Sequence, residues 1–262
     1  MPEGDTIHKL AAFLAPRLVG RTIVAGVVRT APVQSLAGRR VEAVRALGKH
    51  LLIALDDGTL LRSHLGMWGA WHRYGPDERW RRPAREAAIE LRIDDAVYVC
   101  FKPKEVERLR DHGLRHRQLA VRLGPDLIAG EADYATIVRR AREILTPATP
   151  LVDLLLDQRV AAGIGNVYKC EVLFLEHRHP LSTLDGLDDA ALTSLYRRAR
   201  ALLRDNLGGG PRVTRRSDDD ASGLWVYRRR GRPCHVCATA IDYARLGADH
   251  RATYWCPRCQ AG

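Results

Sequence analysis

Four cysteines near the end of the 262-residue chain constrain its fold more than any other feature. Two residues separate Cys234 from Cys237 and Cys256 from Cys259, and 18 residues lie between the two pairs. This spacing is typical of a tetrahedral zinc site in which a hairpin brings two knuckles together. Two disulfides are the alternative, but they are rare in a reducing cytosol. We therefore expect one Zn²⁺ with a structural role, since four cysteines leave no open position for catalysis.

The sequence predicts a cytoplasmic protein. The N-terminal residues are acidic where a signal peptide would be basic, and no stretch approaches the ~18 consecutive apolar residues of a membrane-spanning helix. Cys100 and Cys170 lie in apolar stretches and are expected to be reduced thiols of the core. We expect no membrane contact.

The charge of the chain points to a polyanionic partner. The 42 basic residues exceed the 31 acidic residues, which gives a net charge of +11, and only five of the basic residues are lysines. Residues 197–232 hold 11 arginines and four aspartates, which is +7 of that total. A concentrated basic stretch suits phosphate neutralisation on nucleic acid. A drift toward arginine on a solvated surface is the alternative.

The first half of the chain reads as a β-sandwich preceded by a helix at 6–18. Asp-Asp-Gly at 56–58 and Asp-Asp at 94–95 are hairpin turn signals, and 75–85 reads as an exposed loop. The predicted strands are 22–28, 41–44, 50–55, 60–64, 89–93 and 96–101. Several short strands joined by tight turns favour a sandwich.

The pattern becomes helical after residue 124. Thr149 and Pro150 form a helix-start signal, with a hydroxyl cap followed by proline at the first helical position. The predicted helices are 134–145, 151–162, 167–177 and 188–207. A polar loop follows, with 218–223 as its most mobile part. The expected class is therefore α+β and multidomain, with domains at 1–124, 125–223 and 224–262.

Residues 163–166, Gly-Ile-Gly-Asn, lie between two predicted helices. Asn166 can cap the second helix, and the glycines allow a tight turn that leaves N–H groups facing an anion. A plain turn between helices is the alternative.

Pro2 and Glu3 form a candidate catalytic pair. Removal of Met1 would leave Pro2 with a secondary amine, and an α-amino group has a pKa near 7.7–8.0, so a useful fraction is neutral and nucleophilic. Such an amine can attack a sugar C1′ and form a Schiff base, with Glu3 as the proton donor.

Five motifs together resemble the formamidopyrimidine-DNA glycosylase/endonuclease VIII family. They are Pro-Glu-Gly at 2–4, Gly-Lys-His at 48–50, Leu-Asp-Gln at 156–158, Gly-Ile-Gly-Asn at 163–166 and Arg-Ala-Thr-Tyr-Trp-Cys-Pro-Arg-Cys at 251–259. The resemblance runs from residue 2 to about residue 260. It implies an N-terminal β-sandwich, a helix-two-turn-helix domain and a four-cysteine zinc-finger hairpin.

The resemblance implies four catalytic residues. Pro2 matches the Schiff-base nucleophile, and Glu3 matches the proton donor that helps to open the sugar ring. Lys49 matches the lysine that assists at the phosphate and in β-elimination, with a surface lysine as the alternative. Arg251 matches the finger arginine that grips the phosphates and is linked to δ-elimination, with a solvated hairpin charge as the alternative.

The resemblance also implies DNA-binding residues. Asn166, with Gly165 before it, matches a phosphate-binding position, and Arg122 matches a DNA-binding arginine of the endonuclease VIII branch. Met67 and Trp68 stand where that branch fills the space left by a flipped nucleotide. Core packing at the end of a strand is the alternative for both.

The chain departs from the family pattern at two places. Asp5 and Thr6 replace the last two residues of the usual Pro-Glu-x-Pro-Glu start, which bears on water handling and turnover. Residues 102–106 lack the Arg-x-Phe wedge of the branch specific for oxidised purines. The missing wedge, together with Arg122 and the Leu-Gly-Pro-Asp run at 123–126, favours the endonuclease VIII branch.

The expected function is that of a bifunctional DNA glycosylase and AP lyase of base excision repair. It would remove oxidised bases, pyrimidines preferred, through a Schiff base followed by β,δ-elimination. Its partner would be damaged double-stranded or single-stranded DNA, and it would act as a monomer at the bacterial nucleoid. The alternatives are an oxidised-purine glycosylase and a catalytically idle protein that binds damaged DNA.

Overall fold

The computed structural model describes residues 2–29, 33–216 and 223–261, and the chain divides into two compact units between Val121 and Arg122. The three predicted domain boundaries stay a prediction. The loop predicted to be most mobile, 218–223, lies outside the described residues except for Gly223.

The first unit is a sandwich of two antiparallel sheets, as the sequence predicts. One sheet has the strand order β2-β1-β7-β8-β6 and the other β3-β4-β5-β9. Its strands are β1 (Ala25–Val28), β2 (Gln34–Ser35), β3 (Val41–Leu47), β4 (His50–Leu55), β5 (Thr59–His64), β6 (Ala70–Tyr74), β7 (Ala87–Ile93), β8 (Ala96–Phe101) and β9 (Glu105–Arg110). Apolar side chains from both sheets form one shared core.

Helix α1 (Gly4–Leu18) is held to the sandwich by one apolar face. Ile7, Ala11, Leu14 and Leu18 are buried at spacings of three and four residues, the repeat of a helix that packs on one side. The helix begins two residues before the predicted start, because Glu3 occupies the cap position.

The hairpin turns predicted at 56–58 and 94–95 are both present. Gly58 and Asp94 adopt φ values of 75° and 49°, which let the chain reverse between β4 and β5 and between β7 and β8. Strands β2, β6 and β9 were not predicted. Leu109 is the one residue of β9 in the buried class. Charged residues occupy most of the other positions, so the alternation of apolar and polar residues that predicts a strand is absent from its sequence.

The second unit contains a helical core. Its helices are α3 (Tyr134–Ile144), α4 (Leu151–Leu154), α5 (Asn166–Leu175) and α6 (Asp189–Asp205); α2 (Leu114–Arg122) ends where the unit begins. Asp133 and Asp188 cap α3 and α6 by accepting from the N–H groups of Thr136 and Ala191. Buried side chains of α3, α4, α5 and α6 meet in one cluster.

The helix predicted over 151–162 is wrong, since α4 ends at Leu154. Backbone groups of the following residues bond to 124–127 instead: Gly124 N–H donates to the Gln158 carbonyl, and Ala162 N–H donates to the Pro125 carbonyl. These groups are therefore not available for helical bonds. The predicted start also differs, because Pro150 itself is the cap residue.

The end of the chain forms the cysteine hairpin, residues 234–259, built on strands β10 (Asp242–Leu246) and β11 (Arg251–Trp255). Its buried residues Cys234, Ile241 and Cys256 share a cluster with Cys170 and Phe174 of α5. Both remaining cysteines, Cys100 and Cys170, are buried as predicted. No helix in the described part of the chain has the length and apolarity needed to cross a membrane.

Two half-buried histidines face each other on neighbouring strands of the first unit. His50 and His64 are register partners on β4 and β5, with ring centroids 5.0 Å apart. Burial, with Arg62 and His64 beside it, lowers the pKa of His50 to about 3. Burial lowers the pKa of His64 to about 4. Both rings therefore stay neutral in the folded protein at mildly acidic pH.

This pair predicts a loss of stability in mild acid. A histidine of the unfolded chain titrates near pH 6.5, so the unfolded state binds protons that the folded state does not as the pH falls from about 6.5 toward 4. Hydrogen exchange of β4 and β5 amides, corrected for its intrinsic pH dependence, should accelerate between about pH 7 and about pH 5. The double variant His50→Gln/His64→Gln should accelerate less. Equal acceleration in both proteins would contradict the assignment.

Candidate functional site

At the start of α1, a half-buried proline directly precedes a buried carboxylic acid. Pro2 is half-buried and precedes the helix, whereas Glu3 is 0% exposed at the cap position. The Glu3 N–H donates to Thr6 Oγ1 at 3.5 Å, and Thr6 Oγ1 donates to Asp5 Oδ1 at 3.3 Å. Thr6 thus supplies the capping acceptor, which gives the departure from the family pattern a structural role.

Lys49 lies on the turn between β3 and β4. Gly48 takes a φ of 57°, which allows the tight reversal between Leu47 and His50 and leaves Lys49 half-buried on the turn. The sandwich therefore carries Pro2, Glu3 and Lys49 within one unit.

Met67 and Trp68 follow strand β5 and are exposed, by 54% and 67%. Core packing is therefore not their role. Gly66 precedes them with a φ of 62°, and a Cβ there would lie 2.7 Å from Lys104 Cβ, so this turn requires glycine. Because the two exposed apolar side chains adjoin, they form a candidate contact surface.

In the second unit, Arg122 and Arg251 are both exposed. Arg122 ends α2, and its carbonyl accepts from Arg140 Nη2 at 3.2 Å. Arg251 begins β11, is 48% exposed and pairs with Asp249 at 3.3 Å. An exposed pair of this kind is worth about 0–1 kcal/mol, so a stronger anion can replace the carboxylate.

Asn166 does not cap α5, because the cap residue is Gly165 and Asn166 is the first helical residue. Its side chain reaches β11 instead, with Nδ2 donating to the Ala252 carbonyl at 2.6 Å. Its Oδ1 accepts from Lys169 Nζ at 2.8 Å, and the same Nζ donates to Thr253 Oγ1 at 2.8 Å. The start of α5 and the start of β11 therefore form one polar assembly.

Sequence reasoning missed two buried ionisable residues of α5, Lys169 and Glu171, both 0% exposed. Glu171 accepts from the N–H groups of Trp225, Val226 and Tyr227 at 2.7–3.0 Å and from Thr214 Oγ1. Burial raises its pKa, while these donors act in the opposite direction. Charged residues inside an apolar helix were the available signal, since such residues are rarely buried without partners.

The basic stretch at 197–232 is structural in part. Arg200 donates to the carbonyls of Leu127 and Gly130, and buried Arg229 donates to those of Trp225 and Pro233. Others lie over aromatic rings or pair with an acid; these are Arg197, Arg198, Arg212, Arg215, Arg228 and Arg230. Total charge in this stretch therefore overstates the number of arginines available to a phosphate backbone.

The four cysteines are arranged to hold a metal ion. The Cys237 sulfur lies 3.4 Å from both Cys256 and Cys259, and Cys234 lies 3.9 Å from Cys259. Sulfurs bound to one tetrahedral ion at ~2.3 Å lie roughly 3.8 Å apart. A disulfide would need ~2.05 Å, so the disulfide alternative does not apply.

A second cluster of donors does not form a comparable site. Asp111, His112 and His116 place ligand atoms within 4.8 Å of one another. The His112 N–H, however, donates to Asp111 Oδ1 at 3.0 Å and to His116 Nδ1 at 3.1 Å, and Arg45 lies 3.7 Å from Asp111 Oδ2. These contacts order the start of α2. The Arg45 guanidinium also pairs with the carboxylate that a metal cation would need as a ligand.

Two family models match the chain. Residues 1–111 match the formamidopyrimidine-DNA glycosylase N-terminal domain, and residues 123–217 match the H2TH domain of the same glycosylase. The two matches cover most of the first unit and the helical part of the second, and they agree with the resemblance found in the sequence.

Similar proteins of known name cover the whole chain. A probable endonuclease 8 2 of Streptomyces coelicolor is 38% identical, with 100% of this chain and 95% of that protein covered. DNA-(apurinic or apyrimidinic site) lyase Nei2 of Mycolicibacterium smegmatis is 37% identical, with 99% of each covered. A formamidopyrimidine-DNA glycosylase of Chloroflexus aggregans is 34% identical, with 99% and 98% covered.

Solved structures share the fold. The Lactococcus lactis formamidopyrimidine-DNA glycosylase bound to DNA with an abasic site superposes with a TM-score of 0.82 at 21% identity, covering 99% of this chain and 100% of that chain. The same enzyme bound to DNA with an oxidised pyrimidine gives 0.83 at 22% identity, with both chains fully covered at 100%.

The buried carboxylate of Glu171 predicts a specific stability loss. Glu171→Gln replaces one acceptor oxygen by an NH₂ group that faces N–H donors, so we expect a loss of about 2–3 kcal/mol in the free energy of unfolding. Urea unfolding followed in the second unit measures it, with Glu143→Gln as the control because Glu143 is exposed. The control should lie within about 0.5 kcal/mol of wild type. A loss no greater in Glu171→Gln than in the control would contradict the role given to Glu171.

Proposed function

The chain belongs to the formamidopyrimidine-DNA glycosylase/endonuclease VIII family, and on that premise we propose that it is a bifunctional DNA glycosylase and AP lyase of base excision repair. It removes an oxidised base and then cuts the strand at the abasic site. The observation that carries the proposal is the start of α1, where accessible Pro2 directly precedes fully buried Glu3.

In the first step the Pro2 nitrogen is the nucleophile. Once Met1 is removed, its neutral secondary amine attacks C1′ of the damaged nucleotide, and the bond from C1′ to the base breaks with its electron pair leaving on the base. Glu3 donates a proton to the sugar ring oxygen as the ring opens. The Pro2 nitrogen gives up its proton to the departing base, and its lone pair then forms the double bond to C1′, which leaves an iminium.

Strand cutting follows by elimination from this iminium. Loss of a C2′ proton expels the 3′ phosphate, and a second elimination expels the 5′ phosphate. Lys49 neutralises phosphate charge and assists the first elimination, while Arg251 grips the phosphates around the lesion and assists the second. Each cation stabilises a leaving phosphate more strongly as its negative charge develops.

Backbone and base contacts are proposed for the remaining residues. Arg122 and the 165–166 segment bind phosphates, with Asn166 using the amide hydrogen that Ala252 does not take. Met67 and Trp68 enter the base stack where the damaged nucleotide leaves it, since their exposed apolar side chains can replace the lost stacking.

Zn²⁺ is the proposed ion of Cys234, Cys237, Cys256 and Cys259, because thiolate sulfurs at these separations suit its tetrahedral geometry. The ion stabilises the cysteine hairpin and thereby the strand that begins at Arg251. We propose that the protein acts as a monomer on double-stranded or single-stranded DNA in the cytoplasm, at the nucleoid.

Covalent trapping tests the proposed nucleophile. Wild-type protein with Met1 removed, incubated with abasic-site DNA and borohydride, should give a stable protein–DNA adduct because the iminium is reduced. A variant with one residue retained before Pro2 should give none, since an amide nitrogen is not nucleophilic. Correctly processed wild type that binds this DNA but never traps would favour the idle DNA-binding alternative.

Two substitutions distinguish the role of the metal ion from the role of Arg251. Arg251→Ala should keep about one zinc per chain and lose most strand cutting, because the guanidinium acts on the phosphates rather than on the fold. Cys256→Ser should lose zinc, DNA binding and cutting together. Metal analysis with a cutting assay measures both, and normal cutting by the cysteine variant would exclude the hairpin from the active assembly.

A panel of lesions tests the substrate class. The chain lacks the Arg-x-Phe wedge at 102–106, and saturated or poorly stacked pyrimidines cost less to unstack than an intact purine. Single-turnover cutting should therefore be faster on duplexes with 5-hydroxyuracil or thymine glycol than on one with 8-oxoguanine opposite cytosine, and faster still in single strands. Faster release of 8-oxoguanine than of both pyrimidines would support the oxidised-purine alternative.

A further inference from the structure

The turn at 247–250, which joins β10 to β11, is attached to the helical core at two points. Leu246 packs against the apolar cluster of the helices. On the other side of the turn, the Ala248 N–H points at the side chain of Asp153 in α4, with its nitrogen 3.1 Å from each carboxylate oxygen. Gly247 has a φ of 76°, and a Cβ there would collide with the same carboxylate.

We propose that Asp153 is a positioning residue for Arg251 and hence for the strand-cutting step. This inference rests on the proposed function. Asp153 itself touches neither DNA nor the reacting atoms in this scheme; it acts through the backbone of the turn.

The register of the hairpin connects the attachment points to Arg251. Leu246 pairs directly with Arg251, so the strand residue opposite Arg251 is anchored in the core while Asp153 holds the turn between them. A single anchor at Leu246 would leave the turn free to pivot. The contacts of Ala252 and Thr253 with α5 hold the strand after Arg251, and the anchors at Leu246 and Asp153 hold the turn before it.

The turn is not closely packed on one side. A cavity of about 410 Å³ adjoins the contact, and its lining mixes polar residues such as Thr149 and Asp249 with Pro150 and Leu156. Beside this cavity, the Asp153 carboxylate that accepts the Ala248 N–H connects the turn to α4. A charged acceptor makes this hydrogen bond stronger than a neutral one.

We expect a displaced Arg251 to affect strand cutting more than formation of the Schiff base. A cation that stabilises a leaving phosphate must be placed to within a fraction of an ångström, and a misplacement of ~1 Å costs up to 100-fold in rate. Pro2 and Glu3 belong to the other unit, so we expect formation of the Schiff base at saturating DNA to be affected less than cutting. Loss of Asp153 should therefore slow cutting and spare trapping.

Asp153→Ala tests this on abasic-site DNA under single-turnover conditions. We expect cutting at saturating DNA to fall about tenfold, with the borohydride-trapped yield and the zinc content unchanged. Asp153→Asn keeps an acceptor oxygen and should restore cutting to within about twofold. Asp242→Ala makes the same charge change at an exposed position of the same hairpin without removing the Ala248 acceptor, and should not slow cutting.

A double variant decides whether Asp153 acts through Arg251. If it does, adding Asp153→Ala to Arg251→Ala should slow cutting little further, whereas multiplying effects would overturn the proposal. Cutting by Asp153→Ala at the wild-type rate would overturn it as well. Hydrogen exchange of residues 247–251 should rise in Asp153→Ala and not in Asp153→Asn. This measurement does not depend on activity. If wild type neither traps nor cuts but the exchange differs as expected, the proposed function fails while the role of Asp153 in holding the turn is retained.

Discussion

Burial of helix α5 on all sides is the constraint on which the second unit depends. Every residue from Asn166 to Phe174 is buried. Tyr168, Val172 and Leu173 face the helical core, whereas Cys170 and Phe174 face the cysteine hairpin. A helix enclosed in this way must satisfy its polar side chains internally, and Lys169 and Glu171 do so with groups of β11 and of the segment 225–227. Lys169 thus ties the hairpin to the helices, and Glu171 ties the segment 225–227 to them.

In the first unit, turns place the candidate residues and the sandwich holds the turns. Gly48 and Gly66 take left-handed backbone conformations immediately before Lys49 and Met67. The strands on either side are anchored by apolar residues that both sheets share. Side chains on such turns can meet a partner without loss of core packing, which explains why functional candidates cluster there.

Much of this architecture could be predicted because it follows from patterns among residues that are close together in the sequence. The cysteine spacing, the apolar runs of β4 and β8 and the Asp-rich turns each involve neighbours in sequence. The prediction of a helix at 151–162 was wrong because the spacing of apolar residues carries no information about the backbone hydrogen bond from Gly124 to Gln158. The assembly of Asn166 with Ala252, 86 residues away, and of Asp153 with Ala248, 95 residues away, has no local signal. The resemblance to a family pointed to Asn166 and Arg251 but not to the groups that hold them.

The cysteine hairpin has no apolar core of its own, and this limits how it can be exchanged between proteins. Its buried residues share one cluster with Cys170 and Phe174, and Trp225 stacks on Phe174 with ring centroids 5.4 Å apart. A hairpin grafted from a distant homologue would bring its metal ligands but not the matching surface of α5. Recombination within this fold is therefore expected to succeed at crossover points before α5 rather than at the first cysteine, with the helix and the hairpin inherited as a single block.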